Sequence, residues 1–263
     1  MLQLNRGEIY GLIFRRGWMY QLYNGDCLEI MKNIPDKSID MILCDLPYGI
    51  TARNKWDTIL PLDTLWEQYN RIIKERGMIM LFADGLFMAD LMNNNKKMWR
   101  YNLIWHKTTP TGFLNANRMP LKAHENICCF YKKLPVYNPQ KTTGHQRKTS
   151  TANQKRNCVK TLNYNEHNLT TYDSTERFPT SILTFSTDKQ KCALHPTQKP
   201  VALLEWLIKT YTNEGMTVLD NCMGSGSTGV ACLNTDRNFI GIELDEGYFK
   251  IAEERLREVI ENE

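Results

Sequence analysis

The stretch T-V-L-D-N-C-M-G-S-G-S-T-G-V-A at residues 217–231 decides the fold. Its glycines Gly224, Gly226 and Gly229 match G-x-G-x-x-G and lie between a predicted strand and a predicted helix. In parallel α/β sheets such a loop makes the tight strand-to-helix turn and lets a ligand approach the backbone closely. An acidic residue, Glu243, ends the next predicted strand. The stretch therefore predicts a doubly wound α/β sheet with a cofactor at the carboxyl ends of its strands.

Strand and helix patterns alternate on both sides of this loop, which is typical of a mostly parallel sheet. Short apolar runs predict strands at 20–23, 38–44, 77–82, 101–105, 126–131, 216–219 and 239–244. Apolar residues at helical spacing predict helices at 27–33, 62–75, 85–92, 200–211, 227–233 and 246–260. Residues 132–194 break the alternation, because they are polar and loop-rich. The sequence therefore predicts one α/β domain in two halves, 1–131 and 195–263, with an insertion at 132–194.

The composition is that of an ordinary globular domain. Of 263 residues, 42% are hydrophobic and 24% are charged, which is enough for a sizeable core. No apolar run approaches the ~20 residues that span a bilayer, and charge interrupts the N-terminus too early for a signal peptide. The eight cysteines form no C-x-x-C pair, so we expect no metal site. These observations predict a cytoplasmic protein with no membrane segment.

Positive charge is concentrated in the predicted insertion. The net charge is only +4, but no acidic residue occurs between Glu125 and Glu166. The basic residues there are Lys132, Lys133, Lys141, Arg147, Lys148, Lys155, Arg156 and Lys160. A solvated loop explains such a run, and so does a surface that contacts nucleic-acid phosphates. Tyr137, Tyr164 and Tyr172 are interleaved with it, which favours the second interpretation.

The residue that precedes the glycine loop discriminates between cofactors. Asp220 ends the strand, and a pyrophosphate over the loop would lie close to its carboxylate. Two like charges at short range in a desolvated cleft cost several kcal/mol. S-adenosylmethionine (SAM) has no phosphate and carries a sulfonium and an ammonium, which a carboxylate attracts. SAM is therefore favoured over NAD(P), with Glu243 on its ribose hydroxyls. An NAD(P) oxidoreductase and a glycine turn without ligand stay as alternatives.

A second stretch, S-I-D-M-I-L-C-D-L-P-Y-G-I-T at 38–51, ends a predicted buried strand with a carboxylate and an aromatic ring. With the glycine loop, its D-L-P-Y motif (residues 45–48) resembles the SAM-dependent DNA amino-methyltransferases that modify adenine N6 or cytosine N4. Their catalytic stretch reads Asp/Asn/Ser-Pro-Pro-Tyr/Phe/Trp. The order of parts, with the catalytic motif first and the glycine loop last, is similar to the permuted beta subgroup. N-K-W-D at 54–57 is similar to phage-type members.

Three further segments carry the resemblance: N-G-D-C-L at 24–28, L-K-A-H-E-N-I at 121–127 and H-P-T-Q-K-P at 195–200. It implies a Rossmann-like methyltransferase sheet with a target-recognition region at 132–194. The implied catalytic residues are Asp45, Leu46, Pro47 and Tyr48. The implied cofactor-binding residues are Asp26, Cys27, Asp45, Thr197, Lys199, Asp220, Gly224, Ser225, Gly226, Ser227, Thr228 and Glu243. Among these, Asp26 would bind the adenine of SAM, and Thr197 and Lys199 its methionine carboxylate.

The implied chemistry explains the composition of the D-L-P-Y motif. The Asp45 carboxylate and the Leu46 carbonyl would accept the two N–H groups of the target amine, and Tyr48 would stack on the base after it leaves the duplex. Leu46 departs from the usual proline, but it supplies the same carbonyl. No proline is followed by cysteine, as cytosine-C5 methylation would require.

In the family that the motif resembles, Asp at the first motif position goes mostly with adenine, so the resemblance implies N6-adenine, with N4-cytosine as the alternative. RNA or protein-glutamine methylation is a more distant alternative. A DNA-binding module that has lost catalysis would show a broken Asp45, Tyr48 or glycine loop, and none of these is broken. The expected partner is double-stranded DNA, the family implies a possible homodimer, and a nuclease partner is unknown. R-R-G-W before Met19 suggests that Met19 is the native start and that residues 1–18 are a translated leader.

Overall fold

The computed structural model describes residues 9–15, 17–49, 59–151, 171–187 and 198–262. The strands are β1 (Ile9–Arg15), β2 (Trp18–Asn24), β3 (Ile39–Cys44), β4 (Ile73–Ala83), β5 (Trp99–Thr111), β6 (Lys122–Phe130), β7 (Lys148–Ser150), β8 (Tyr172–Ser174), β9 (Ile182–Phe185), β10 (Thr217–Asp220) and β11 (Asn238–Glu243). The helices are α1 (Cys27–Met31), α2 (Leu62–Ile72), α3 (Gly85–Asn94), α4 (Val201–Tyr211), α5 (Ser227–Leu233) and α6 (Glu246–Glu261).

Nine strands form one sheet in the order β1-β2-β11-β10-β3-β4-β6-β5-β9. The pairs from β2 to β4 are parallel, and β6 is antiparallel to both of its neighbours. From β3 the chain proceeds to β4 on one side, and from β10 it proceeds to β11 on the other. The order therefore reverses between β3 and β10, which is where open α/β sheets bind their ligands. The predicted doubly wound, mostly parallel sheet is confirmed.

The two faces of the sheet bury alternate residues of its central strands. On β3, Met41 and Leu43 belong to one apolar cluster, with α4, α5 and α6, whereas Ile42 and Cys44 belong to the other, with α1, α2 and α3. All four are at most 1% exposed. A strand covered by helices on both faces must be apolar throughout, which is why 38–44 was recognisable in the sequence.

The second helix is shorter than predicted. The pattern extended it to Glu75, but α2 ends at Ile72 and Ile73 already has extended backbone angles. Ile73 is buried and pairs with Ile39 on β3. A Cβ on Gly77 would lie 2.6 Å from the Ile73 side chain. Tertiary packing of Ile73 thus overrides the helical periodicity, and β4 begins earlier than 77.

The outer strands of the sheet include two, β1 and β9, that the sequence pattern did not predict. β1 pairs antiparallel with β2, and residues 9–15 belong to the range predicted as a leader. β9 lies inside the predicted insertion, but it pairs parallel with β5 in the main sheet. β5 and β6 extend beyond the predicted 101–105 and 126–131.

The chain divides into two compact units. The larger comprises 1–138 and 181–263, and the smaller comprises Pro139–Thr180, narrower than the predicted 132–194. In the smaller unit β7 and β8 pair antiparallel, and Arg147 binds both carboxylate oxygens of Asp173 at 2.6–2.7 Å. Within the part of the chain that the structure describes, no helix combines the length and apolar composition that crossing a bilayer requires.

Candidate active site

The predicted site residues converge on one edge of the sheet, because the carboxyl ends of parallel strands lie together. Along this edge the order is Asp26 after β2, Glu243 at the end of β11, Asp220 at the end of β10, and Asp45 after β3. The D-L-P-Y motif and the glycine loop (residues 221–226) therefore flank the point where the strand order reverses. Thr197 and the N-K-W-D stretch lie outside the described residues.

Asp45 uses both of its carboxylate oxygens. Oδ1 accepts a hydrogen bond from the Tyr48 hydroxyl at 2.7 Å, and Oδ2 binds the ammonium of Lys199. The Tyr48 ring stacks on Phe87, with centroids 5.1 Å apart. Leu46 is buried. The Asp45 carboxylate is thus held by the Lys199 ammonium on one oxygen and by the Tyr48 hydroxyl on the other, and Phe87 packs against the Tyr48 ring.

Lys199 immediately precedes Pro200, the N-cap of α4, and is 8% exposed. Besides Asp45, its Nζ lies 3.5 Å from Glu125 Oε2 and 5.0 Å from the centre of the Phe82 ring. Its polar contacts recorded by the structure are thus carboxylates of the protein. A role for Lys199 on the methionine carboxylate of SAM stays a prediction.

Glu125 and Lys107 extend this contact into a chain of alternating charges that sequence reasoning missed. Lys107 Nζ donates to Glu125 Oε1 at 2.5 Å and lies 5.0 Å from the centre of the Trp105 ring. We name Asp45, Lys199, Glu125 and Lys107 the charge network. Glu125 lies within L-K-A-H-E-N-I, which resembled the family, but nothing in that pattern indicated its contact with Lys199.

Burial and charge oppose each other in the charge network. Burial acts to lower the pKa of Lys199, but the carboxylates of Asp45 and Glu125 outweigh it, and the net pKa of Lys199 is raised. Burial acts to raise the pKa of Glu125, but the ammonium groups of Lys199 and Lys107 outweigh it, and the net pKa of Glu125 is lowered. Lys199 and Glu125 are therefore both charged at neutral pH.

Asp220 holds the start of the glycine loop and of α5. Its Oδ2 accepts from the Thr228 hydroxyl at 2.6 Å, and its Oδ1 accepts from the Cys222 N–H at 3.2 Å. Asp220 is 4% exposed. Burial raises its pKa from 3.8 to about 6, although the Thr228 and Cys222 hydrogen bonds act in the other direction. At neutral pH the carboxylate is therefore charged in a buried position. The hydrogen bonds from Thr228 and Cys222 offset only part of the cost of burial.

This raised pKa predicts how stability changes with pH. A carboxyl whose pKa is higher in the folded chain binds its proton more tightly there, so stability is highest below the unfolded pKa and falls as pH rises to about 6. A shift of this size corresponds to about 3 kcal/mol at most. In urea unfolding between about pH 4 and 7, we expect wild type to lose stability relative to Asp220→Asn, which keeps an acceptor for Thr228. Parallel stability curves for the two proteins would contradict the prediction.

The rest of the glycine loop is fixed by close packing. Gly226 has φ of +76°, and a Cβ there would lie 3.0 Å from Ala252 Cβ on α6. Arg255, which the sequence did not single out, donates to the Ser225 carbonyl at 3.1 Å and the Ser227 hydroxyl at 2.9 Å. Ser225 and Ser227 are buried. These contacts hold the loop on α6.

Glu243 and Asp26 lie on adjacent strand ends. Glu243 accepts from the N–H groups of Gly224 at 2.8 Å and Asp245 at 2.9 Å, and its backbone carbonyl accepts from the Gly25 N–H at 2.9 Å. Burial raises the pKa of Glu243. Asp26 is exposed and caps α1 through the Leu28 N–H at 2.8 Å. The two predicted cofactor carboxylates are thus brought together beside the glycine loop.

A buried amide connects the helices to this loop. The Asn221 side chain accepts from the Tyr69 hydroxyl at 2.5 Å and lies 3.6 Å from the sulfur atoms of Cys27 and Cys222. Cys27 is buried, so its predicted contact with the cofactor would be through its backbone. In the described ranges no group of three His, Cys, Asp or Glu side chains has the geometry to hold a metal ion.

Several basic residues of the predicted insertion have partners within their own unit. Lys141 pairs with Glu176 at 2.9 Å, and Arg147 pairs with Asp173. In the larger unit, Lys132 donates to the Asn70 carbonyl at 2.8 Å. Lys155, Arg156, Lys160 and Tyr164 lie outside the described residues. A nucleic-acid surface at 132–194 stays a prediction.

The doubly wound sheet, its glycine loop and the carboxylate–aromatic motif at the neighbouring strand end define the class of Rossmann-like methyltransferases. Residues 39–254 match the family of DNA methylases described as N6_N4_Mtase. The chain belongs to this family, and it is a DNA methyltransferase of the N6/N4 amino type. The dinucleotide-dependent alternative is thereby set aside.

Individual relatives agree with this assignment. The chain is 29% identical over 268 residues to the Type II methyltransferase M.HinfI of Haemophilus influenzae, covering 92% of this chain and 69% of the relative. The structure of the M1.HpyAVI–SAM complex is 27% identical, with a TM-score of 0.63, covering 90% of this chain and 99% of that one. PvuII DNA methyltransferase (cytosine-N4-specific) has a TM-score of 0.64 and covers 92% of both chains, but at 15% identity this likeness shows the fold alone.

Proposed function

We propose that this protein transfers a methyl group from SAM to the N6 amine of a flipped adenine in double-stranded DNA. The observation that carries the proposal is the D-L-P-Y motif, where Asp45 is ion-paired through Oδ2 and hydrogen-bonded through Oδ1 to Tyr48. Lys199 orients the carboxylate, which leaves Oδ1 as the oxygen that would accept an amine N–H in place of the Tyr48 hydroxyl.

The chemistry follows from the weakness of the nucleophile. The lone pair of an exocyclic amine is delocalised into the base, and hydrogen bonds from both of its N–H groups to Asp45 Oδ1 and the Leu46 carbonyl favour a pyramidal nitrogen. The lone pair then points at the methyl group of SAM. Holding the two reacting atoms at near-attack distance supplies a large part of the rate. After transfer, the nitrogen carries a positive charge and loses one proton.

SAM is the cofactor in this proposal, and the M1.HpyAVI relative was solved as its complex. The backbone of the glycine loop would face the methionine part, Glu243 the ribose hydroxyls, and Asp26 the adenine. Thr197 would meet the methionine carboxylate, whereas Lys199, whose ammonium contacts Asp45 and Glu125, would act on the catalytic carboxylate instead. Asp220 would act chiefly through the loop, since Thr228 and Cys222 occupy both of its oxygens.

The subgroup and the partners belong to the same proposal. The catalytic motif precedes the glycine loop in the chain, as in the permuted beta subgroup, and phage-type origin is proposed on the N-K-W-D stretch. The region 132–194 would recognise the target sequence. A homodimer, and a place in a restriction–modification pair, are further parts of the proposal. Asp at position 45 favours adenine, and N4-cytosine is the second candidate.

Two substitutions of Tyr48 separate the stacking of its ring on the flipped base from the hydrogen bond of its hydroxyl to Asp45. Stacking of a base on an aromatic ring contributes about 1–3 kcal/mol, so Tyr48→Ala should lower the single-turnover methylation rate by about 10- to 100-fold. Tyr48→Phe keeps the ring on Phe87 and removes only the hydroxyl that the amine would displace, so its rate should stay close to wild type. A Tyr48→Phe rate as low as that of Tyr48→Ala would contradict stacking as the role of the ring.

One experiment tests the function. The protein is incubated with methyl-tritiated SAM and genomic DNA amplified in vitro, which carries no methylation, and the digested nucleosides are identified by mass spectrometry. N6-methyladenine is the expected product. N4-methylcytosine would keep the mechanism and replace the base. Label that stays off DNA but enters RNA or protein would overturn the proposed substrate.

A further inference from the structure

The charge network is more extensive than a catalytic carboxylate requires. Its side chains are well buried, with exposed fractions of 7% for Lys107, 14% for Glu125, 9% for Lys199 and 23% for Asp45. Buried ion pairs contribute little net stability, because desolvation offsets most of the attraction between the charges. A four-membered network at the catalytic edge is therefore better explained by chemistry than by stability.

One oxygen of the charge network, Glu125 Oε2, has only a long contact to Lys199. Glu125 Oε2 is buried and, among the described residues, accepts no hydrogen bond. It lies 3.5 Å from Lys199 Nζ, whereas Lys199 is in hydrogen-bond contact with Asp45 Oδ2. Lys107 holds the other oxygen, Oε1, at 2.5 Å. Lys199 thus lies between a close acceptor on Asp45 and a more distant, ion-paired one on Glu125.

We propose that Glu125, anchored by Lys107, is a positioning residue that receives the ammonium of Lys199 when Asp45 takes up the proton of the methylated amine. This inference rests on the proposed function and concerns the step in which the methylated amine loses its proton. In that step the N–H bond of the methylated ammonium breaks, an O–H bond forms on Asp45, and the electron pair stays on nitrogen. The Lys199 hydrogen bond then moves from Asp45 Oδ2 to Glu125 Oε2, and no charge is left without a partner.

Without Glu125, protonation of Asp45 would leave the buried ammonium of Lys199 beside a neutral carboxyl. The unpaired charge would make this proton transfer less favourable. The other charged or titratable groups that face the network are Tyr48 and Cys44 beside Asp45, Asp220 at the end of β10, and Lys122 on β6, which is ion-paired with Asp84. In the part of the chain that the structure describes, none of these groups is an ion-pair or hydrogen-bond partner of Lys199.

Two variants with opposite charge changes test the inference. Glu125→Gln keeps the shape and removes one negative charge, and Lys107→Met keeps most of the volume and removes one positive charge. The readout is the single-turnover rate of methyl transfer to the amplified DNA as a function of pH. The rate should rise with pH and then reach a plateau. The rising part, the acidic limb, reports protonation of the coupled network as a whole and not of one residue.

Glu125→Gln should make proton uptake harder, so its acidic limb should move to lower pH by on the order of one unit. Its plateau rate should fall by about 10- to 100-fold, because Lys199 loses the acceptor that positions it. Lys107→Met should move the limb to higher pH, and the double variant, whose network has the wild-type net charge, should return it close to the wild-type position. The binding constants for SAM and DNA should change little in all three.

A limb that stays in place in both single variants, or moves in the same direction in both, would overturn the inference. So would a Glu125→Gln protein that loses thermal stability but methylates at the wild-type rate. If wild type transfers no methyl group to DNA, the proposed function and this inference are both overturned. An active wild type with unmoved limbs overturns the inference alone.

Discussion

Asp45→Ala should reduce methyl transfer to DNA by about 10³-fold, within the range by which removal of a positioned acid–base group lowers rates. The substitution removes the acceptor that Lys199 orients and Tyr48 contacts. The target amine then keeps only the Leu46 carbonyl, and its lone pair stays delocalised. Single-turnover transfer of tritiated methyl groups measures the loss, and isothermal titration should show that the folded variant still binds SAM through the glycine loop and Glu243.

The control for this variant is Asp36→Ala. Asp36 lies on the same chain segment, is exposed, and pairs with Arg71 at 2.7 Å. Its removal should leave the rate unchanged. Asp45→Asn, which keeps one acceptor oxygen without the charge, should lie between Asp45→Ala and wild type. An Asp45→Ala protein that is folded and retains more than about a tenth of the rate would contradict a role for Asp45 in the chemistry.

Lys199→Met should be the most destabilising of the substitutions considered. It leaves Asp45 without its cation and Glu125 with Lys107 alone, and removal of one partner from a buried ion pair costs about 3–5 kcal/mol. Asp45 is 23% exposed, so we expect about 3 kcal/mol. For a chain of this size that corresponds to a Tm lower by roughly 6–12 °C, measured by calorimetry near neutral pH.

Two further measurements test this prediction: the pH dependence of the stability loss, and the loss caused by removing an exposed lysine. Lys199 lowers the pKa of Glu125 against the effect of burial. This contribution to stability is present above the unfolded value of 4.5 and is lost as pH falls through the lower folded value, so the deficit of Lys199→Met should shrink in acid. Lys32→Met removes the exposed partner of the exposed Glu29 and should cost at most about 1 kcal/mol. Equal losses for the two variants would show that the burial of the charge network has no energetic consequence.

Local patterns in the sequence determined the fold class and the position of the main motifs. Apolar runs such as 38–44 and the glycine spacing at 224–229 are local signals, and they predicted the parallel sheet, its strand-to-helix turn and the family. The carboxyl ends of β3 and β10 had to meet because parallel strands end at one edge. Ile73 shows the limit of such signals, since its pairing with β3 ended a helix that its own periodicity would have extended.

Only the tertiary structure decided what each site residue contacts. Lys199 and Asp45 are 154 positions apart, and Lys107 and Glu125 meet across the strand pair β5–β6. No local pattern encodes such contacts, because they arise from the order of strands in the sheet. The charge network, the hold of Arg255 on the glycine loop and the commitment of Asp220 to Thr228 were therefore invisible in the sequence. The sequence determined which chemical groups are present, and the sheet determined which of them share a proton or a charge.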